Sequence, residues 1–289
     1  MKIAYIGNFN KLWDEEYIAQ AFEQLGHQVL RIPERLPKIE VQLDQFEPDV
    51  VLWAKFQVGK PQFILDYCKQ KGIKTVCWVW DLYWGYQREY IVKNGHMFRA
   101  DLVFTSDGGH EDRWKELGIN HKCIRQGIRE EECYKEWDEK EYDVVFVGTY
   151  NHLNKERNDI MDKVAKDFDF HWFGKQDQDE IRGPKLNRLY GKTKIVIGDS
   201  VYSPNYWSNR VVETLGRGGF LIHQYVEGIE KEYPYLVTYE RGNYQDLKEK
   251  IGHYIQNPKA REEIIKKNLD WVKNNHTIKQ RCQELCQNL

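Results

Sequence analysis

The chain starts the same way twice. Lys2-Ile-Ala-Tyr-Ile6 is a short apolar strand that runs into Gly7-Asn8, and Asp143-Val-Val-Phe-Val147 is another that runs into Gly148. Each is followed by helical spacing and a further apolar strand: Glu15 to Leu25 then Val29 to Ile32, and Lys155 to Lys166 then Asp169 to Phe173. Strand, glycine turn, helix, strand is the opening of a parallel α/β sheet. Two such openings predict two sheets, and a length of 289 residues suits two domains of roughly 130 residues each. The expected fold class is α/β, with two Rossmann-like, doubly wound domains facing a central cleft. Neither opening carries G-x-G-x-x-G, so a dinucleotide cofactor is not indicated.

Further strands fall at Asp49 to Trp53, Lys74 to Trp80, Ala100 to Phe104 and Lys194 to Ile197. Lys74 to Trp80 is apolar throughout, as in a sheet covered on both faces. Pro33 and Pro37 punctuate a loop, and the highly charged stretch from Arg129 to Glu141 has no clear period. The boundaries read as a first domain over 1–128, a linker over 129–141 and a second domain over 142–270, with 271–289 left as a closing helix.

Ligands of open α/β sheets gather at the carboxyl ends of strands, which singles out several residues. Gly7 and Asn8 follow the first strand; glycine there makes a tight turn and also lets a ligand approach the backbone. Asp81 ends the fourth strand beside Tyr83, Trp84 and Tyr86, an acid among aromatics that suits a sugar or equally caps a turn. Thr105-Ser-Asp-Gly-Gly-His110 ends the fifth strand and puts His110 at a helix start. Asp81 and His110 are the candidate catalytic bases.

The second half carries the densest pattern, Ser208-Asn-Arg-Val-Val-Glu-Thr-Leu-Gly-Arg-Gly-Gly-Phe-Leu-Ile222. It predicts a helix from about Asn209 to Leu215 with Ser208 as its cap, ended by Gly216, Gly218 and Gly219. Arg210 lies in the first turn, where amides and the helix dipole favour an anion. Glu213 is one turn on, sharing its face. A cation beside amides suits a phosphate and the carboxylate suits sugar hydroxyls; the same pair also reads as a surface ion pair. Gly148 with Arg157, in the first turn of the next helix, is a second anion contact or a solvent-facing arginine.

Bulk properties narrow the classes. A net charge of -2 gives no global pull toward nucleic acid or an anionic membrane. No run approaches the roughly 20 apolar residues of a membrane span, and the first strand is too short for a signal peptide. Cys68, Cys77, Cys123, Cys133, Cys282 and Cys286 form no C-x-x-C pair, so reduced thiols and a cytoplasmic setting are expected.

Asn209-Arg210-x-x-Glu213-x-Leu215-x-x-Gly218-Gly219-Phe220-Leu221 resembles, with one residue of offset, the N-x-R-x-x-E-type helix of the GT-B glycosyltransferase family that includes the spore-maturation CgeB-like proteins. His276-Thr277-x-x-x-Arg281 looks like that family's closing H-T-x-x-x-R, and Phe146-Val-Gly148 and Gln126-Gly127 are also similar. The resemblance covers most of residues 100–289. It implies a GT-B fold and a metal-independent transferase that takes a nucleotide-sugar, with a UDP- or GDP-sugar as the expected donor and no separate cofactor. It also implies that Arg157 and Arg210 steady the diphosphate and that Glu213 holds the ribose. Gly148, Gly218 and Gly219 would admit backbone amides, with Asn209 beside them. Gly7, Asn8, Tyr83 and Trp84 would fall on the acceptor side, and the closing helix would return to the first domain. One departure stands out: larger retaining relatives often carry an acid eight residues before the equivalent of Glu213, where this chain has Asn205.

The acceptor stays open among a glycan, a small molecule, a protein and modified DNA. Asp167-Phe-Asp169 and Asp177-Gln-Asp179 spell the Asp-x-Asp of metal-dependent transfer, but lie at a strand's entry or in a charged loop. A non-catalytic two-lobed nucleotide- or sugar-binding module, and a GT-B enzyme acting on modified phage DNA, are the alternatives.

Overall fold

The computed structural model describes residues 1–54, 61–85, 88–136, 139–150, 155–174 and 181–289. Tyr86 and the Asp177-Gln-Asp179 motif lie outside them. The chain divides into two units, residues 1–126 with 278–289, and residues 127–277.

In the first unit, β1 (Lys2–Gly7), β2 (Gln28–Pro33), β3 (Val50–Trp53), β4 (Lys74–Val79), β5 (Leu102–Thr105) and β6 (His121–Cys123) form a sheet in the order β2-β1-β3-β4-β5-β6. Every pairing is parallel. Alternate residues serve opposite faces: Ala4, Ile6, Val51, Trp53, Cys77 and Val79 pack into one core, and Ile3, Tyr5, Leu52, Val76, Trp78 and Phe104 into the other. The intervening helices are α1 (Asp14–Gln24), α2 (Ile39–Phe46), α3 (Pro61–Lys71), α4 (Glu89–Asn94) and α5 (Glu111–Glu116). Helix α2 was not legible as one, since only Ile39 and Leu43 of its two turns are buried and Pro37 precedes it.

In the second unit, β7 (Tyr142–Val147), β8 (Phe170–Phe173), β9 (Thr193–Gly198), β10 (Leu221–Gln224) and β11 (Val237–Tyr239) are ordered β11-β10-β9-β7-β8, again all parallel. Its helices are α6 (Lys155–Asp167), α7 (Pro184–Lys192), α8 (Arg210–Gly216), α9 (Ile229–Glu232), α10 (Tyr244–Gln256) and α11 (Pro258–Asn275). The strand order reverses between β7 and β9, the switch point at which open α/β sheets bind ligands. The charged stretch after Arg129 belongs to this unit: Glu132 is buried, and Asn187 donates to the carbonyls of Glu132 and Tyr134 at 2.9 and 3.0 Å. Last in sequence, α12 (Ile278–Cys286) packs with α1 in the first unit, adding Ile278, Cys282 and Leu285 to its core. No helix among the described residues is long and apolar enough to cross a membrane.

Candidate functional site

The carboxyl ends of β7 and β9 gather two arginines around one carboxylate. Asp199 follows β9; its two oxygens accept from Arg157 Nε at 2.6 Å and Arg210 Nη1 at 3.3 Å. Arg210 is held further by the carbonyls of Val147 and Asp199 at 2.9 and 2.8 Å and by Ser208 Oγ at 3.3 Å. Both guanidiniums lie over the Phe146 ring, Arg210 at 4.6 Å and Arg157 at 5.4 Å from its centre, a cation–π arrangement that fixes their planes. Gly148 makes room for this: a Cβ there would come within 2.7 Å of Arg210 Nη2. Burial pulls Arg210 below the usual arginine range and Asp199 opposes the pull; an arginine stays charged regardless. Two cations against one anion leave a net positive charge, and 13% and 14% of the Arg157 and Arg210 side chains remain open to solvent.

Asp199 is the member that sequence reading missed. Its signal was present, an acid directly after an apolar strand, but the ion pairs that give it meaning join separate segments.

Helix α8 differs from expectation in three respects. It begins at Arg210 after Asn209, whose φ of -56° is already helical, and no side chain caps it. Ser208 instead accepts from Arg210 and donates to the Asp199 carbonyl at 3.5 Å. Glu213 pairs with Arg217 at 2.8 Å, not with Arg210. Gly218 and Gly219 sit at the opposite end of the helix from Arg210, and their amides already donate to Leu215 and Thr214 at 3.2 and 2.9 Å. They end the helix and pack tightly, since a Cβ on Gly218 would meet Lys135 and one on Gly219 would meet Thr214. The expectation that these amides meet a donor therefore gives way. Asn209 itself is exposed.

In the first unit, Asp81 accepts from Arg88 at 2.9 Å. His110 Nδ1 lies 2.9 and 3.0 Å from the two carboxylate oxygens of Asp107. Asp107 is buried and also accepts from the Gly109 amide at 3.1 Å. A carboxylate at Nδ1 places the proton there and leaves Nε2 as the basic nitrogen of the neutral ring. Asp107, also missed in the sequence, is thus the group that orients His110.

Tyr83 and Trp84 correct the acceptor-side expectation. Both are 2% exposed and belong to the core, packing edge-on against Phe98 and Trp114, so neither ring offers a face to a sugar. Gly7 closes β1 opposite Pro33 and Asn8 is half-buried beyond it; a Cβ on Gly7 would make only ordinary contacts. Of the Asp-x-Asp pair at 167–169, Asp167 is engaged by Lys248 at 2.8 Å and Tyr244 at 2.6 Å, and Asp169 by His171 at 3.0 Å.

One buried histidine lies close to the arginine cluster. Burial pushes His223 from 6.5 down to about 4. The unfolded chain takes up this proton first, so the stability that His223 contributes is whole above pH 6.5 and lost as pH falls toward 4. Between those limits the loss is about 3 kcal/mol. Urea melts at stepped pH should show His223→Asn losing less stability over this window than the wild type.

Residues 129–287 match the family described as glycosyl transferase-like. The chain belongs to that family. It is accordingly a glycosyltransferase, and its fold is the GT-B fold. Sucrose-phosphate synthase from Thermosynechococcus elongatus is similar over 99% of this chain and 98% of its own, at 11% identity and a TM-score of 0.66. OtsA is similar over 100% and 99% at 7% identity and 0.67. A S. aureus TarM variant solved with fondaparinux, alpha-GlcNAc-glycerol and UDP is similar over 86% of this chain and 57% of its own, at 11% identity and 0.56. No curated protein matches this family member in sequence.

Proposed function

We propose that this chain moves a sugar from a nucleotide-sugar to a hydroxyl acceptor without a bound metal ion, and that the donor's diphosphate lies against Arg157 and Arg210. The observation that carries this is the convergence of both guanidiniums on Asp199 at the switch point of the second sheet. Glycosyl transfer leaves negative charge on the departing diphosphate, and fixed cations aimed at it stabilise the transition state by several kcal/mol, about 3 to 4 per donor. Asp199 holds the pair preorganised, so they need not reorient as the bond breaks.

Glu213 gives Oε2 to Arg217, and its other oxygen is the one offered to the ribose hydroxyls. A UDP- or GDP-sugar is the expected donor, and UDP is the nucleotide in the TarM complex. For the acceptor's base the candidates are His110, which Asp107 holds with Nε2 as its basic nitrogen, and Asp81.

The test is a panel of UDP- and GDP-sugars, each incubated with the protein with and without a chelator. Slow hydrolysis of one donor is expected, at the same rate in both. Loss of turnover with the chelator would overturn the metal-independent reading. Calorimetry showing no binding of UDP or GDP would overturn the donor reading.

A further inference from the structure

β10 reads Leu221-Ile-His-Gln224, and its imidazole is wholly buried. A buried polar ring is unfavourable unless its nitrogens are bonded, and both are. Nδ1 lies 2.6 Å from the Gln224 carbonyl, which fixes the proton on Nδ1. Nε2 is then an acceptor, and Ser200 Oγ, at 3.3 Å, donates to it. With its proton committed, Ser200 Oγ accepts from the Ser208 amide at 2.9 Å. The chain of donors therefore runs Ser208 N–H to Ser200 O–H to His223. Gly198 leaves the space for the ring, since a Cβ there would lie 2.5 Å from His223 Cδ2.

The two ends of this chain of bonds matter. Ser200 adjoins Asp199, which clasps Arg157 and Arg210, and Ser208 itself accepts from Arg210. We infer that His223 is a positioning residue for the donor-site arginines, acting through Ser200 on the loop between Asp199 and Ser208. The inference rests on the donor reading above. Burial keeps the ring neutral at ordinary pH, so its role as acceptor does not switch off there. A displacement of about 1 Å can cost a reaction that depends on fixed geometry about 10²-fold, so even partial relaxation of this loop is measurable.

The experiment is UDP and GDP binding by calorimetry on His223→Leu, Ser200→Ala, their double variant, His223→Asn and Arg210→Ala, with thermal melts alongside. For the nucleotide that binds, His223→Leu and Ser200→Ala should each weaken affinity about 10-fold, and the double variant no further, because they break one coupled chain. Asparagine can both donate to Gln224 and accept from Ser200, so His223→Asn should stay within about 3-fold of the wild type. If His223→Leu does not fold, Ser200→Ala alone carries the test. Melting temperatures that fall while affinity stays at the wild-type value would reduce His223 to a structural residue and overturn the inference. Arg210→Ala separates the two failures. If it binds nucleotide like the wild type, the donor reading falls. If it loses binding while Ser200→Ala and His223→Leu keep it, only the inference about His223 falls.

Discussion

Replacing Arg217 by methionine should destabilise the protein by about 3 to 5 kcal/mol, the range seen when one partner of a buried ion pair is removed. Arg217 is 3% exposed, at the carboxyl end of α8. It pairs with Glu132 and with Glu213, and donates to the Gly183 carbonyl at 3.2 Å and to Asn187 Oδ1. Burial alone would discourage its charge, but the two carboxylates outweigh this and raise it above the usual arginine range. Without the guanidinium, Glu132 is left buried with, among the described residues, only Arg129, at 3.9 Å, to offset its charge. Urea melts of the full chain measure the loss, and Arg217→Met with Glu132→Gln should recover part of it, because the second change removes the stranded charge. A loss under about 1 kcal/mol for the single change would show the pair to be solvated, since exposed pairs are worth no more.

The second large effect is on function. Arg210→Ala should lower turnover about 10²- to 10³-fold, as when one preorganised donor is removed from a developing anion. Arg210→Lys should recover little of it, because one ammonium cannot reproduce the fork that reaches Val147, Asp199 and Ser208 together. Initial rates of donor hydrolysis read both variants, and circular dichroism separates unfolding from lost chemistry. Rates within about 3-fold of the wild type for the alanine variant would remove Arg210 from the reacting end of the donor.

Much of this architecture was legible in the chain, for a physical reason. Strands of a parallel sheet are covered on both faces, so β1, β3, β4, β7 and β9 stand out as apolar runs whatever surrounds them. The two-sheet fold and the glycosyltransferase family follow from those runs and from the motif around α8. Helices α2 and α4 were harder: each is short and commits few side chains to the core. At the candidate site, Arg157 and Arg210 were legible because a first-turn arginine is a local feature. Asp199 and Asp107 were not, since a strand-end acid looks the same in sequence whether it clasps two arginines, orients a histidine or faces water. Tyr83 and Trp84 show the converse. Aromatics beside a strand end read as a sugar platform, but the neighbouring Phe98 and Trp114 draw them inward. Gly218 and Gly219 sit within the recognisable motif, yet the positive φ of Gly218 and the packing of both serve the end of the helix.

The placement of α12 bears on how the molecule is made. A ribosome releases the amino-terminal sheet long before it reaches Ile278, so Tyr5, Ile18 and Phe22 wait with a bare apolar face for the side chains that will cover it. Domains tend to fold as units during synthesis, yet this one is closed by a helix that emerges only after the whole of residues 127–277. That apolar face therefore goes without its α12 cover for as long as the second unit takes to translate.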